Sequence, residues 1–584
     1  MTEPSSAKSA TSDESASCNV QNGRTTAPQQ TLHAGRNTLV NGLTAAAKVA
    51  FTKEKGRHLI ATSDIPAGAL VIEEPPYGFC VHDACAEFFC QHCALALPSD
   101  RPRFQCRNCN DPKIIFCSTD CYDRALTAYH ALECHLEFIG LTRESVLLGL
   151  RILLLTPIAA LIEYSNRKQS GQPESQPIIG QTTPINSNEQ RFQSLMALLP
   201  VEDEEKPAAP TTSVGGGGTA LGLSRLVRFL VRRLVKEKYT LHADWPEELT
   251  ELERQILLHD VLLDILLRLR RNRQGVWEFR KFRDEPLTEA LRTVDCHKGT
   301  AVYPIAALMN HSCLPNTHMT FARDARIEVR TIETVRAGTE LTHNYGPKFG
   351  EHTRAERQAK LLDDYFFVCD CVACSSDECG RIEREQDAYR CEKCAATILV
   401  EDKRRENSSE SLPCPACRDE SLTRDEVEKK VGALRAMLAA VQSRALLEDV
   451  DDNNDDELVL PSERLVDCVE ALERCMHTHN GTLNELRAQC ADVLISEGKH
   501  TLAEPMLKRY VATEKRRHGT QSLQAAWAWR KLSRLYAHSN AAALYGVTVA
   551  LVVRVYVNHY GRHNVERLFR DGGMEEIAEL LDKL

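Results

Sequence analysis

The spacing of the cysteines constrains this chain more than any other feature. The 584 residues include 23 cysteines, and most of them fall into groups only a few residues long. These groups are Cys90-x2-Cys93, Cys106-x2-Cys109, Cys117-x3-Cys121 and His130-x3-Cys134, then Cys369-x-Cys371-x2-Cys374, Cys391-x2-Cys394 and Cys414-x2-Cys417. Paired cysteines at short spacing in a reducing compartment are typical of zinc sites rather than of disulfides. We therefore expect several small zinc-stabilised modules, with buried free cysteines as the alternative.

Composition and charge exclude some classes of protein. The net charge of -10 and the pI near 6.1 lack the bulk basicity of a dedicated nucleic-acid binder, so no direct nucleic-acid reading is expected. No apolar run reaches the roughly 20 residues that span a bilayer, which predicts no membrane segment. The N-terminus has no basic-then-apolar signal pattern, and we expect a soluble intracellular protein. Residues 1–38 have few large apolar side chains and predict a disordered tail.

The rest of the chain alternates strand-like and helix-like patterns. Residues 40–80 read as short strands joined by turns, and residues 326–332 alternate polar and apolar as a half-buried strand does. An apolar helix is predicted over 143–164 with a break near Pro157, and further helices from about 222 to 280. Two low-complexity stretches, 170–190 and 207–222, predict surface insertions.

The C-terminal part is predicted to be all helical and weakly repetitive. His518-Gly519 and Tyr560-Gly561 lie 42 residues apart, and each pair follows a long amphipathic segment. Paired helices at that period suggest a small tetratricopeptide-like solenoid. An ordinary helical bundle is the alternative that the sequence leaves open.

Three motifs in the second half of the chain point to a known family. Residues 310–316 read NHSCLPN, residues 343–347 read HNYGP, and residues 365–374 read YFFVCDCVAC. Together they resemble the second half of a SET domain, the fold of protein lysine methyltransferases. The upstream order of cysteines and His130 is similar to a MYND zinc module. A SET domain interrupted by a MYND finger is the hallmark of the SMYD family, which the chain resembles over roughly residues 40 to 580.

The resemblance implies an α+β fold: a split SET domain of small β-sheets with an inserted MYND zinc finger, followed by an all-α tetratricopeptide-like domain. The implied order is a tail (1–38), the first SET part (39–89), the finger (90–134) and a helical SET insertion (135–300). The SET core (301–350), a post-SET zinc segment (351–380), a possible zinc ribbon (381–422) and the helical domain (423–584) follow.

The resemblance also implies how the zinc ligands pair. Cys90, Cys93, Cys117 and Cys121 would hold one ion of the finger, and Cys106, Cys109, His130 and Cys134 the other. Cys313 would join Cys369, Cys371 and Cys374 in a third site that closes the roof of the active site. The spacing of Cys391, Cys394, Cys414 and Cys417 suits a fourth zinc, with two adventitious cysteine pairs in a loop as the alternative.

The cofactor implied is S-adenosyl-L-methionine. Asn310 and His311 match the paired cofactor contacts of the family, and Tyr345 matches its catalytic tyrosine. The remaining matches to cofactor-binding positions are Lys55, Gly56, Arg57, Asn272, Tyr365 and Phe367. Without the surrounding motifs, each of these residues would be read as a polar turn or a core side chain.

Two positions depart from the family pattern. His58 stands where a second glycine is usual, which puts the local turn in question. Gly338-Thr339-Glu340 stands where Gly-Glu-Glu is common, so the charge of that turn is halved.

The functional expectation is an S-adenosylmethionine-dependent protein-lysine N-methyltransferase acting on histone or non-histone lysines. We expect a monomer of nucleus and cytoplasm whose finger binds proline-rich peptides. The alternative is a zinc-binding adaptor with a weak or inactive SET domain, which recruits protein partners through its finger and helical repeat.

Overall fold

The computed structural model describes residues 31–97, 103–106, 113–134, 143–170, 187–198, 220–236, 245–280, 294–400, 411–445, 463–571 and 581. The chain divides into Met1–Thr31 and a compact unit, Leu32–Leu584. The predicted tail extends too far, because Leu32 is buried and the N–H of His33 donates to the carbonyl of Leu70 at 3.0 Å. The prediction of disorder for residues 1–30 lies outside the described residues.

Short strands form the first half of the compact unit, as the alternating and apolar segments predict. The strands are β1 (Ala47–Thr52), β2 (Gly56–Ala61), β3 (Leu70–Glu74), β4 (Gly78–Val81), β5 (Phe104–Gln105), β6 (Ile115–Phe116), β7 (Arg273–Arg280), β8 (Val294–Val302), β9 (Asn310–His311), β10 (Thr317–Phe321), β11 (Ile327–Thr331), β12 (Glu340–His343), β13 (Tyr389–Arg390) and β14 (Thr397–Ile398). The predicted strand at 326–332 is therefore confirmed as β11.

Three larger sheets combine strands from distant parts of the sequence. Their orders are β1-β2-β12-β9, β10-β11-β3 and β4-β8-β7. All pairings within them are antiparallel except that of β12 with β9, which is parallel. Their buried faces share one apolar core, to which Leu59, Ile72, Val329 and Leu341 contribute fully buried side chains. Since each of these three sheets pairs a strand before residue 90 with a strand after residue 134, the segment 90–134 is an insertion between their strands.

Two matching turns connect this core. Gly68 and Gly338 have φ angles of 81° and 83°, a backbone region that glycine enters without a Cβ penalty. Ile65 and Val335 exchange two backbone hydrogen bonds of 2.8 Å, so the two turns lie side by side.

Helices separate the early strands from the late ones. They are α1 (Thr119–Ala125), α2 (Ala131–Glu133), α3 (Arg143–Leu155), α4 (Ile158–Gln169), α5 (Asn188–Met196), α6 (Ala220–Lys236) and α7 (Glu251–Asn272). The predicted break at Pro157 is confirmed, with a bend of 104° between α3 and α4. Of the predicted low-complexity segments 170–190 and 207–222, residues 171–186 and 207–219 lie outside the described residues. Residues 188–190 begin α5, and residues 220–222 begin α6.

The prediction of helix up to residue 280 is wrong for residues 273–280, which form β7. Their apolar and aromatic side chains, Val276, Trp277 and Phe279, suit a pleated sheet. The strand β8, which lies further along the chain, supplies the partner that the local pattern does not show.

The described residues from 354 onward are mainly helical, apart from the small β13–β14 pair. Its helices are α8 (Arg354–Tyr365), α9 (Val372–Ser375), α10 (Asp377–Glu385), α11 (Arg424–Ala445), α12 (Glu463–Cys475), α13 (Gly481–Ser496), α14 (His500–His518), α15 (Leu523–His538), α16 (Ala542–Tyr560) and α17 (Arg562–Asp571). From α11 to α17, each helix packs against the next one in sequence.

The predicted 42-residue repeat is present in the backbone. The pair α13–α14 and the pair α15–α16 have identical lengths, 16 and 19 residues, and begin 42 positions apart. Both long helices end at a glycine of similar conformation, with φ and ψ of 88° and 156° at Gly519 and of 76° and 151° at Gly561. These helix pairs stack as solenoid repeats do.

One described helix, α16, is long and apolar enough to cross a membrane by length and composition, and the bent pair α3–α4 would be a second candidate if counted as one span. The absence of a membrane segment stays a prediction, because the core helix of a protein without one passes the same test. The helix packs against α15 and the strands β10 and β11, and 39% of its apolar window is buried within the protein.

Candidate active site and metal clusters

The central strand β12 brings the predicted cofactor residues together. It pairs on one side with β2, where Leu341 lies opposite Leu59, and on the other with β9, where His343 lies opposite His311. The segment before β2 carries Lys55, β9 consists of Asn310 and His311, and Tyr345 follows β12. Residues separated by almost 300 positions therefore share one edge of a sheet.

Asn310 is held by groups from two other segments. Its Nδ2 donates to the carbonyl of Lys55 at 3.2 Å and to Oε1 of Glu340 at 2.9 Å. The second Glu340 oxygen lies 2.6 Å from Nζ of Lys55, and this hydrogen bond raises the pKa of the Lys55 ammonium. Glu340 thus fixes the amide orientation of Asn310, and no described residue donates to its Oδ1. That oxygen remains available to accept a hydrogen bond from an amine.

Gly56 gives this edge an open side. Its φ is 63°, and a Cβ built there would meet no heavy atom within 4 Å. The departure at His58 does not disturb the turn, because His58 is a buried member of β2 whose Nδ1 lies 3.0 Å from the Gly56 carbonyl. Arg57 points elsewhere and donates to the carbonyl of Ala197 at 2.5 Å. The cations predicted to face a cofactor carboxylate are therefore engaged with protein groups.

Three hydrogen bonds fix Tyr345. Its hydroxyl donates to the carbonyl of Met309 at 2.9 Å, and its backbone N–H donates to Nδ1 of His311 at 3.0 Å. Its carbonyl accepts from the hydroxyl of Tyr365 at 3.1 Å. Burial raises the pKa of Tyr345 well above its ordinary value, so the hydroxyl keeps its proton at neutral pH.

The protonation of His311 follows from its partners. Because Nδ1 accepts a hydrogen bond, the ring proton lies on Nε2, which is 3.3 Å from Sγ of Cys313. Burial lowers the pKa of His311 to about 4, which keeps the ring neutral. His311 thereby connects the Tyr345 backbone with Cys313, a cysteine of the predicted closing site.

Aromatic side chains surround Tyr345. The ring centroid of Tyr365 lies 4.8 Å from that of Tyr345, and Phe367 lies 6.4 Å away in an edge-on arrangement. Between them, Phe366 ends α8 with a left-handed φ of 62°, and this turn places its two neighbours on the Tyr345 side. The predicted aromatic residues therefore wall the space beside the tyrosine.

Asn272 forms its side-chain hydrogen bond within its own helix. It ends α7, and its Nδ2 donates to the carbonyl of Arg268 at 2.9 Å. Its neighbour Arg271 lies over the ring of Phe366 at 4.4 Å, so the end of α7 lies next to the aromatic wall. Its role in cofactor binding stays a prediction.

The finger has the interleaved ligand sets that the resemblance implies. Cys90, Cys93, Cys117 and Cys121 form one cluster, and Cys106, His130 and Cys134 form another, with ligand atoms within 4.8 Å of one another. Cys109 lies outside the described residues. Sulfur separations of 3.5 Å for Cys93–Cys117 and 3.6 Å for Cys106–Cys134 are close to the roughly 3.8 Å of a zinc tetrahedron.

Two further clusters contain four thiols each. Cys313, Cys369, Cys371 and Cys374 meet at the predicted closing site, and Cys391, Cys394, Cys414 and Cys417 meet in the predicted ribbon. At the closing site the buried Arg357 supports the ligand loop: its guanidinium donates to the carbonyl of Ala373 at 3.1 Å and pairs with Glu383. The donor sets of both clusters fit zinc or iron.

A buried chain of charges joins the finger to the sheets. Nδ1 of His130 lies 3.2 Å from Glu133, whose carboxylate forms two hydrogen bonds, of 2.8 and 2.9 Å, with Arg151. Arg151 also donates to the carbonyl of Phe79 in β4 at 2.7 Å. Although burial opposes ionisation, Arg151 and His130 together lower the pKa of Glu133 to about 2. The candidate metal ligand His130 is thus oriented by a carboxylate anchored to the sheet core.

Sequence reasoning missed the importance of Glu340, Arg151 and Glu133. Glu340 was placed only in a turn, yet it holds both Lys55 and Asn310. In β12, Leu341 and His343 are buried, and Glu340 occupies an alternate, half-buried position. This alternation is the local signal that the Glu340 side chain lies on the other face of the strand. For Arg151, the sequence signal is a single charged residue in the apolar part of α3, with leucines at the neighbouring positions of the same helix face.

Comparison with known proteins agrees with this geometry. Residues 56–346 match the family model described as the SET domain. The protein-lysine N-methyltransferase SMYD4 of Pongo abelii is 24% identical over 543 residues, covering 82% of this chain. The SMYD4 protein of Danio rerio is 23% identical over 574 residues, covering 85% of this chain and 70% of that relative. The chain belongs to the SMYD family.

The similarity extends to shorter relatives within the SMYD family. The N-lysine methyltransferase SMYD2-A of Xenopus laevis is 39% identical over 82 residues, 14% of this chain and 18% of that protein. This SMYD-family chain spans 63% of the length of the SMYD4 protein of Pongo abelii.

Proposed function

We propose that this chain is an S-adenosylmethionine-dependent protein-lysine N-methyltransferase. The observation that supports this most directly is the position of the Tyr345 hydroxyl, hydrogen-bonded to the carbonyl of Met309 at the end of the strand pair that carries Asn310 and His311. The names of the relatives, which describe lysine methyltransferases, agree with this proposal.

The residues fit the cofactor in two respects. Gly56 leaves open space where a side chain would project, and Asn310 keeps an amide oxygen that accepts no hydrogen bond from a described residue. S-adenosylmethionine, when bound, supplies the methyl group. Asn310 would accept a hydrogen bond from its amino group, and the Gly56 backbone would lie against it.

The tyrosine and the aromatic wall would act on the other reactant. The Tyr345 hydroxyl and the ring faces of Tyr345 and Tyr365 would align a lysine amine, while Phe367 would exclude water from the channel. Methyl transfer needs a neutral amine, and neutral surroundings favour that form. His311 is neutral here, and burial also lowers the pKa of the adjacent His343, to about 3. The wall would therefore carry no cation to compete with the substrate.

Further features of the proposal rest on the family resemblance. We propose that zinc fills the two finger clusters and the closing cluster, and that substrates are histone or non-histone lysines. We also propose a monomer present in nucleus and cytoplasm, whose finger binds proline-rich peptides. The engagement of Lys55 with Glu340 and of Arg57 with Ala197 favours one rival, an adaptor whose cofactor site is weak.

A transfer assay separates the two functions. The full chain is incubated with methyl-labelled S-adenosylmethionine and a cell extract, and cofactor binding is measured by calorimetry on the same preparation. Labelled protein in the presence of wild type, and much less with Tyr345→Phe, supports the enzyme. If the cofactor binds but no fraction contains labelled protein, or if the cofactor does not bind, the result would favour the adaptor function over the enzyme.

A further inference from the structure

The cysteine pairs at 391–394 and 414–417 have the backbone conformation of the finger. In each case the N–H of the first cysteine donates to the carbonyl five residues on, and the residue four positions on donates back to the cysteine carbonyl. The bond lengths are 2.9 and 3.0 Å for Cys90 with Leu95 and Ala94, 2.9 and 2.9 Å for Cys391 with Ala396 and Ala395, and 2.8 and 3.0 Å for Cys414 with Asp419 and Arg418.

The turn that these bonds close is unfavourable in itself. Ala94, Ala395 and Arg418, each four residues after the first cysteine, have φ angles of 60°, 60° and 58°. The left-handed region is unfavourable for a residue with a Cβ. The same strained turn therefore occurs three times, each time directly after a CxxC pair, and one of these pairs belongs to the zinc finger. This recurrence is what a metal-binding turn requires.

The two turns face each other. The sulfur atoms of Cys391 and Cys417 are 3.5 Å apart, those of Cys394 and Cys414 are 3.4 Å apart, and all four lie within 4.8 Å. None of the four is in a disulfide. Four thiolates at these distances approach the tetrahedral arrangement of a structural zinc site.

We propose that Cys391, Cys394, Cys414 and Cys417 bind a fourth zinc ion, which closes the first end of the helical domain. Cys391 and Cys414 are buried in the same apolar cluster as Leu434 of α11 and Leu472 of α12. Tyr389 of the ribbon forms a bridge with Met476, just beyond α12. A stack of helical repeats exposes an apolar end, and the ribbon covers that end here.

The ribbon differs from the other three clusters in exposure. Cys394 and Cys417 are exposed, whereas every described ligand of the finger and of the closing site is buried or half-buried. A chelator or an alkylating reagent reaches the ribbon sulfurs without any opening of the fold. The fourth ion is therefore the one released first.

Metal counting on the full-length protein tests the site. Wild type is expected to carry four zinc ions by elemental analysis and native mass spectrometry. The variant Cys394→Ser/Cys417→Ser is expected to carry three, to keep cofactor binding, and to unfold at lower temperature in the helical domain. Cys468→Ser is the matched control, since Cys468 is a half-buried cysteine of α12 outside every cluster, and it should retain four.

Alkylation gives a second readout that does not depend on the variant folding. In zinc-replete wild type, iodoacetamide should leave Cys394 and Cys417 unmodified despite their exposure, because bound thiolates react slowly. Brief chelation should make them the first cysteines modified, in site-resolved mass spectrometry. Three zinc ions in wild type together with immediate alkylation of both residues would overturn the site. Bound iron with visible absorbance would overturn its assignment to zinc.

Discussion

The sheet region and the helical domain of this protein are assembled in opposite ways. In the sheets, β12 pairs with β2 and β9, and its Glu340 contacts Lys55 from 285 positions away. In the helical domain, each helix packs on the next, and the backbone repeats after 42 residues. The comparison shows where single residues matter most. Segments that are distant in sequence are held together by a few buried contacts. Successive helices of the repeat are instead stabilised by many similar contacts.

The largest expected effect concerns the joint between finger and sheets. Arg151→Met removes the guanidinium that pairs with the buried Glu133, which should lower the free energy of unfolding by about 3–5 kcal/mol. Arg124→Met is the control: Arg124 pairs with Asp120 in the same finger, but both side chains are more than half exposed, and the loss should stay below about 1 kcal/mol.

Denaturant unfolding of both variants measures this difference. Glu133→Gln in the Arg151→Met background should recover part of the loss, since it removes a buried charge that has lost its guanidinium partner. Equal destabilisation by Arg151→Met and Arg124→Met would show that the buried ion pair contributes no more to the free energy of unfolding than the surface pair does.

The second prediction concerns Tyr345→Phe, which keeps the ring and removes only the hydroxyl bonded to Met309. Turnover should fall roughly a hundredfold, with little change in cofactor affinity, if the hydroxyl acts mainly in the transition state. Tyr365→Phe is the control, because among the described residues its hydroxyl hydrogen-bonds to the Tyr345 carbonyl, and its turnover should fall less. Steady-state rates with calorimetry provide both values, and unchanged turnover of Tyr345→Phe would refute the role.

The two regions also differ in how far the sequence predicts them. The repeat in the helices and the cysteine clusters were predictable, because each depends on residues a short distance apart. The motif at Asn310 located one side of the active site. Neither the bond from Asn310 to Glu340 nor the anchoring of Arg151 to Phe79 follows from a local pattern, since both require the strand pairing to be known. The strand at 273–280 was mistaken for helix for the same reason, as its partner β8 lies further along the chain.

The third prediction concerns the Asn310–Glu340 contact. Asn310→Ala should weaken cofactor binding by about 1–3 kcal/mol, because it removes a polar contact in a half-buried site. Glu340→Gln should weaken it less, and the double variant should lose less than the sum, because the two side chains act through one hydrogen bond.

Calorimetric titration with S-adenosylmethionine measures the four affinities of this cycle. Asp64→Asn provides the control, since Asp64 is an exposed acid paired with Arg336 at the turn beside the same core. Strict additivity of Asn310→Ala and Glu340→Gln would mean that Glu340 does not orient the amide.

The smallest expected effect compares equivalent glycines of the repeat. Gly519 and Gly561 share a backbone conformation that costs about 1–3 kcal/mol for a residue with a Cβ, so both alanine variants should be destabilised. A Cβ on Gly519 would meet no heavy atom within 4 Å, but one on Gly561 would lie 2.8 Å from the Arg330 guanidinium of β11. Gly561→Ala should therefore lose on the order of 1 kcal/mol more. Thermal unfolding of the two variants measures this difference. Equal losses of stability would mean that the contact between the end of α16 and Arg330 of β11 adjusts at no cost. The helical repeats would then depend little on their packing against the sheets.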